Sequence, residues 1–235
     1  MGEKRYRRIL LKLSGEALAG AKGQGLDDPT LLSIAKTLKT LADEGFELGI
    51  VVGGGNFWRG RSSEHMDRVT ADHMGMLATT MNALALSDAL RRQGAQTRVM
   101  SAIEMRQIAE TYIRLRAVRH LEKGRIVIFA CGTGNPYFST DSAAALRAAE
   151  IHAEAVFKAT NVDGVYDKDP RKFPDAKLYR DLTHDQVLVE KLGVMDATAA
   201  ALCRDNQTDI YVFNLNDPEN ISRILHGEEV GTWVH

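Results

Sequence analysis

The chain has 235 residues, 44% hydrophobic and 26% charged, enough for one sizeable domain with an ordinary core. Its formal net charge of −1 argues against a dedicated nucleic-acid binder, which carries an excess of Lys and Arg. Two cysteines, Cys131 and Cys203, read as reduced thiols of a cytoplasmic protein, and no segment has the apolar length of a membrane helix.

Strands and helices alternate. Arg8 to Leu13 reads as a strand. Asp28-Pro29 follows as a helix cap with Pro at the first helical position, ahead of Leu31, Leu32, Ala35, Leu38 and Leu41 at helical spacing, with Gly45 as the stop. Phe46 to Val52 is the next strand, about Thr70 to Gln93 a long helix, Thr97 to Ser101 a strand, and the stretch to about Leu121 helical. The apolar run Ile126 to Cys131 is a buried strand, and Asp141 caps a helix over Ser142 to Ala153. Glu154 to Ala159 is a strand leading into a polar loop, Thr160 to about Lys177. Helices near 184–192 and 196–205 precede a strand at Asp209 to Phe213. Asp217-Pro218 opens a last helix, and Val230 to Val234 closes the chain as a strand. Such alternation implies an α/β fold with a mainly parallel sheet covered on both faces. No linker marks a boundary, so residues 1–235 read as one domain.

Three glycine-rich junctions leave strands at their C-terminal ends, where ligands of such sheets sit. They are Lys12-Leu13-Ser14-Gly15, Gly53-Gly54-Gly55-Asn56 and Gly132-Thr133-Gly134-Asn135-Pro136. Glycines let backbone approach an anion, and the free N–H groups at a helix start favour negative charge. Three such loops suggest more than one phosphate-bearing ligand. No Walker-type phosphate loop, dinucleotide fingerprint, zinc motif or nucleophile elbow is present. His73 and His120 lie in helical stretches, which gives little support to a His-based hydrolase. Lys12, at the end of the first strand, and Arg59, four residues after Gly55, can form a cationic phosphoryl clamp. Asp141 and Asp72 are the acidic candidates. Asp141 is otherwise only a cap, and Asp72 can accept hydrogen bonds from ribose hydroxyls.

Taken in order, several motifs carry a resemblance. They are Lys12-Leu13-Ser14-Gly15-Glu16-Ala17-Leu18, Gly53-Gly54-Gly55-Asn56 with Arg59-Gly60, and Asp72-His73-Met74-Gly75-Met76. Gly132 to Pro136 with Thr140-Asp141-Ser142-Ala143-Ala144 follows, then Lys158-Ala159-Thr160 with Val162-Asp163-Gly164-Val165-Tyr166. The whole chain resembles the bacterial uridylate kinases of the amino acid kinase superfamily. The resemblance implies a three-layer sandwich around a mainly parallel sheet, with an N-terminal part mainly for UMP and a C-terminal part mainly for ATP. It implies reversible transfer from ATP to UMP, giving ADP and UDP in pyrimidine nucleotide biosynthesis, with Mg²⁺ held mainly by nucleotide phosphates and no dedicated protein metal site.

By the same resemblance, Lys12, Leu13, Ser14, Gly15, Gly55 and Arg59 hold ATP phosphates. Thr160, Asn161, Tyr166 and Asp169 serve its base and ribose. Gly54 and Asp72 bind UMP, and Thr133, Gly134, Asn135, Pro136, Tyr137, Phe138, Ser139 and Thr140 wrap it. Lys12, Arg59 and Asp141 are the catalytic set, Asp141 orienting Lys12. Gly20, Ala21, Lys22, Gly23, Gln24 and Gly25 match a segment used for GTP activation, expected on an oligomer surface away from the catalytic crevice. A homohexamer and inhibition by UTP are also implied. Alternatives are a superfamily member phosphorylating a carboxylate or carbamate, and a nucleotide-binding storage or regulatory protein of the same fold.

Overall fold

The computed structural model describes residues 6–58 and 66–235. In chain order the elements are β1 (Arg8–Leu13), α1 (Gly15–Ala19), a 3₁₀ turn (Gly20–Lys22), α2 (Asp28–Asp43), β2 (Glu47–Val52) and α3 (Arg68–Arg92). Then come β3 (Thr97–Ser101), β4 (Glu110–Thr111), α4 (Arg114–Glu122), β5 (Ile126–Ala130), α5 (Thr140–Ile151) and β6 (Ala155–Thr160). The last part holds β7 (Val165–Tyr166), β8 (Leu178–Tyr179), β9 (Asp181–Leu182), α6 (His184–Val189), α7 (Ala197–Asp205), β10 (Asp209–Asn214), α8 (Glu219–Leu225) and β11 (Thr232–Val234).

Among the described residues a nine-stranded sheet has the order β4-β3-β5-β2-β1-β6-β10-β11-β9. Every pairing from β4 to β10 is parallel, and β11 turns antiparallel to β10. The central strands are apolar because helices cover both faces. Ile9, Leu11 and Leu13 of β1 pack with α2, α3 and α8, and Leu10 packs on the opposite face with α5 and α7.

Four expectations are corrected. Asp27, not Asp28, caps α2, accepting from Thr30 N at 3.1 Å, so Pro29 stands second in the helix. Ser139, not Asp141, caps α5, its Oγ accepting from Asp141 N and Ser142 N at 3.0 Å each. A hydroxyl two residues upstream reaches the free N–H groups, and Asp141 falls inside the first turn with its carboxylate available elsewhere. The stretch after Ser101 is helical only from Arg114. Met105 O accepts from Ile108 N and Ala109 N in a single turn, and the chain then pairs with the edge of β3 as β4, a tertiary partner that overrides helical spacing. Inside the polar loop, β7 pairs antiparallel with β8.

Asn82, fully buried in α3, fixes one phosphate-type loop to the core. Its Nδ2 donates to Gly53 O at 2.6 Å and to Asn56 Oδ1 at 2.7 Å. Asn82→Ala leaves the Gly53 carbonyl and the Asn56 amide short of a partner in a dry setting, a cost of about 1–3 kcal/mol. Urea unfolding should show a lower midpoint with an unchanged slope. An unchanged midpoint would mean that Asn82 does not hold the loop.

Candidate functional site

Strand register builds the cationic centre. Lys12 and Lys158 are direct neighbours in the parallel β1–β6 pair. Side chains alternate along a strand, so Lys12 shares the face of Leu10 and Lys158 that of Val156, both toward α5. Asp141, in the first turn of α5, enters between them. Lys12 Nζ lies 2.9 Å from Asp141 Oδ1, and Lys158 Nζ donates to Oδ2 at 2.7 Å. Lys158 also donates to Val194 O. All three side chains are largely buried, 11–15% exposed. Each carboxylate oxygen of Asp141 thus faces one ammonium group.

Burial works to raise the Asp141 pKa, but the two ammonium groups outweigh it and hold the carboxyl below its ordinary value. Burial pushes the Lys158 ammonium below the usual lysine value, against the pull of Asp141. Lys12 therefore stands in an ion triad, not as an isolated strand-end lysine. The motif reading gives Lys158 no role of its own, although a lysine inside the apolar run Ala155 to Ala159 is a signal that the sequence offers.

Next to this centre lies a pocket of about 580 Å³ including its mouth, lined by Gly54, Asp72, Gly75, Thr133, Asn135, Phe138, Ser139 and Thr140, with Trp58 and Cys131 among the rest. The fold thus gathers Gly54 and Asp72 with most of the 133–140 segment. Asp72 Oδ2 accepts from Arg68 Nε and from Tyr137 N, each at 2.8 Å. Arg68 also lies over the Tyr137 ring. Cys131, Gly132, Gly134 and Tyr137 all have positive φ, so the loop winds tightly around the pocket rim.

The phosphate-type loops of β1 and β2 touch. A Cβ on Gly15 would stand 2.6 Å from Gly55 N, so only glycine allows this approach. Arg59 falls outside the described residues. Leu13 is fully buried in the core, and the other residues expected at the donor side divide between two clefts. Ser14, Thr160 and Asn161 line one together with Gly20, Ala21 and Gly23. Tyr166 and Asp169 line another with Glu190, Lys191, Leu192 and Gly193. The Gly20–Gly25 segment therefore borders the cleft that Ser14, Thr160 and Asn161 line. Gly25 N donates to Asn56 O at 3.1 Å, and Asn56 Nδ2 donates to Gly25 O at 2.6 Å. Of Lys22 and Gln24, Lys22 pairs with Asp27 at 3.2 Å, and neither lines these clefts.

A family model, the amino acid kinase family, matches residues 7–214. The chain belongs to the amino acid kinase family. Among solved structures it is similar to a UMP kinase from Bacillus anthracis, with 42% identity and a TM-score of 0.94 over 98% of this chain and 96% of that one. It is similar to a UMP kinase from Ureaplasma parvum, with 38% identity and a TM-score of 0.91 over 98% and 99%. A uridylate kinase from Archaeoglobus fulgidus matches at 28% identity and a TM-score of 0.72 over 97% and 99%. The sheet flanked by helices is that of the amino acid kinase family. Among the described residues no helix is long and apolar enough to cross a membrane.

The triad has a pH signature. Because the folded Asp141 pKa is depressed, its contribution to stability is fully present above the unfolded carboxyl value, about 3.9. It is lost as pH falls through the lower folded value. Asp141→Asn removes that contribution and leaves two buried ammonium groups facing each other, a loss of about 3–5 kcal/mol for breaking a buried pair. Denaturant midpoints taken at several pH values should show the variant less stable at neutrality and missing this acid-dependent loss. Equal midpoints at pH 7 would contradict the triad.

Proposed function

We propose that this member of the amino acid kinase family transfers the terminal phosphoryl group of ATP to UMP, giving ADP and UDP. The carrying observation is the Lys12–Asp141–Lys158 triad beside a pocket walled by Asp72 and the 133–140 loop. Identity of 42% to a UMP kinase, across 98% of this chain, supports uridylate as the acceptor.

An oxygen of the UMP phosphate attacks the γ-phosphorus. The bond from that phosphorus to the β–γ bridging oxygen breaks, and ADP leaves with the electron pair. A phosphate monoester is already mostly ionised at neutral pH, its second pKa being about 6, so no base must take a proton. What the protein supplies is position and positive charge. Lys12 and Lys158 face the phosphoryl group in flight. Asp141 holds the two ammonium groups together while contributing only one negative charge.

Among the described residues, no three potential metal-ligating side chains converge. Both oxygens of Asp141 already face ammonium groups, so the side chains here offer no metal cage. Mg²⁺ keeps waters and phosphate oxygens among its ligands. Mg²⁺ would therefore be held mainly by the ATP phosphates, where it would supply further charge neutralisation beside Lys12 and Lys158.

In this reading Lys12, Leu13, Ser14, Gly15, Gly55 and Arg59 serve the triphosphate. The cleft at Tyr166 and Asp169 takes the base and ribose, with Thr160 and Asn161 at the strand end between. Gly54, Asp72 and 133–140 hold UMP, so the earlier part of the chain is mainly the acceptor side. GTP as activator, UTP as inhibitor, a homohexamer and a cytoplasmic setting belong to the same proposal. Two observations support parts of it. Gly25 is joined to the second phosphate-type loop through Asn56, a direct route from the Gly20–Gly25 segment to the centre. Met74, Leu77, Met81 and Leu84 form an exposed apolar stripe on α3, the kind of face that associates with another chain.

An ADP-release assay with UMP, CMP, dUMP, aspartate and glutamate tests the activity. Turnover should be strongest with UMP, and equal or better turnover with CMP or an amino acid would overturn the assignment.

Two substitutions separate the roles. Lys12→Ala should lower kcat on the order of a hundredfold or more while moving either KM less, because its charge matters most in the transition state. Asp72→Ala should raise KM for UMP and leave KM for ATP near its original value. Normal kcat in the first, or a shifted ATP KM in the second, would redraw the site.

A further inference from the structure

The structure assigns a positioning role to Asp196, which neither the motifs nor the acceptor pocket includes. Asp196 caps α7, its Oδ1 accepting from Ala199 N at 2.9 Å. The same carboxylate reaches across to the start of α5. Ser142 Oγ lies 3.1 Å from Oδ1 and 3.2 Å from Oδ2, and Ser139 Oγ donates to Oδ2. Ser139 is itself the cap of α5, accepting from Asp141 N and Ser142 N. A hydroxyl offers one proton and two lone pairs, so the Ser139 hydroxyl is fully used. One carboxylate thus caps a second helix through a serine.

The geometry encloses Asp141. Its neighbours Ser139 and Ser142 are both tied to Asp196, and its partner Lys158 is tied to Val194 O, two residues before Asp196. Ser139 and Thr140 also wall the acceptor pocket. The 194–196 turn therefore sets where the first turn of α5 stands against β1 and β6. Through that turn it sets the distances from the Asp141 carboxylate to both lysines. Asp196 touches none of the reacting atoms in this scheme. It acts by holding Asp141, and misplacement of a reacting constellation by about 1 Å can cost on the order of a hundredfold in rate.

The inference rests on the proposed transfer centre, and the test keeps the two apart. Asp196→Ser retains a good cap for α7 but is too short to reach both serines of α5. Ser142→Ala removes one of those bonds and leaves both caps in place. Two quantities are measured in each variant and in the unaltered protein. One is kcat with ATP and UMP saturating. The other is the titration of the Asp141 carboxyl in the unliganded protein by carbon-13 NMR, assigned with Asp141→Asn. Asp196→Ser should fold with a melting temperature lowered by several degrees, since the buried Ser142 hydroxyl loses its acceptor while the α7 cap is kept. Its kcat should fall about tenfold or more, and its Asp141 titration should move to higher pH as the ammonium groups loosen. Ser142→Ala should move both in the same direction by less.

If kcat and titration both stay put, the positioning role is wrong. A fall in kcat with an unmoved titration would also overturn it, because Asp141 would then still be held. If the unaltered protein does not phosphorylate UMP, the proposed function fails, and the titration alone decides the role of Asp196. Should Asp196→Ser unfold, the same two measurements on Ser142→Ala decide the matter: a shift in both supports the role, and an unmoved titration overturns it.

Discussion

Two lysines side by side in a parallel strand pair repel each other, and burial makes that repulsion worse. Lys12 and Lys158 are such a pair, and everything around them is arranged to make it tolerable. The carboxylate of Asp141 contacts both ammonium groups, and it comes from a helix whose first turn points at the strand ends. The placement has two advantages. A carboxylate in the first turn of a helix is favoured by the helix dipole, and the neighbouring backbone N–H groups are taken up by Ser139 rather than by Asp141 itself. The triad carries a net positive charge in a largely buried setting, and such charge acts strongly on an incoming anion because little water screens it.

The rest of the architecture follows from keeping that cluster at the C-terminal ends of two central strands. Lys12 is the last residue but one of β1, and Lys158 the last but two of β6. Beyond Lys12 the chain turns into the first phosphate-type loop, and the neighbouring strands β2 and β5 lead into the other two. Those loops are held from behind by polar groups that are themselves buried. Asn82 grips the Gly53 to Asn56 turn, and Thr79 Oγ1 accepts from Cys131 N at 2.9 Å. Helix α3 therefore reaches two of the three loops from one side. Glycine at position 15 lets the first two loops meet.

Much of this is legible in the sequence. Strand β1 and strand β3 have the bounds that the apolar pattern indicates, and the three glycine-rich junctions all leave strand ends. The parts that the sequence hides share one cause. Local pattern cannot report a tertiary partner. The stretch 102–113 has helix-like spacing, but the edge of β3 offers backbone partners. Asp141 resembles a cap because Asp favours that position, and only the observed first turn shows Ser139 accepting from the free N–H groups while Asp141 faces the lysines. Lys158 is visible as a charge in an apolar strand. Its meaning depends on register with Lys12, which no single-strand pattern contains. Asp196 reads as an ordinary helix cap and gains its second role only because α7 packs against α5.

The acceptor loop carries its constraint differently. Cys131, Gly132, Gly134 and Tyr137 adopt positive φ, and a bulky residue such as Tyr137 is strained there unless its surroundings impose it. Asp72 imposes it. Its Oδ2 accepts from Tyr137 N while Arg68 bonds the same oxygen and lies over the Tyr137 ring. A residue expected to contact only ribose thus also fixes the shape of the pocket wall. The same wall ends in Ser139 and Thr140, directly before Asp141. Loop shape and the position of the phosphoryl centre are therefore coupled through a few consecutive residues. A ligand that presses on the 133–140 loop presses, within two residues, on the carboxylate that holds both lysines.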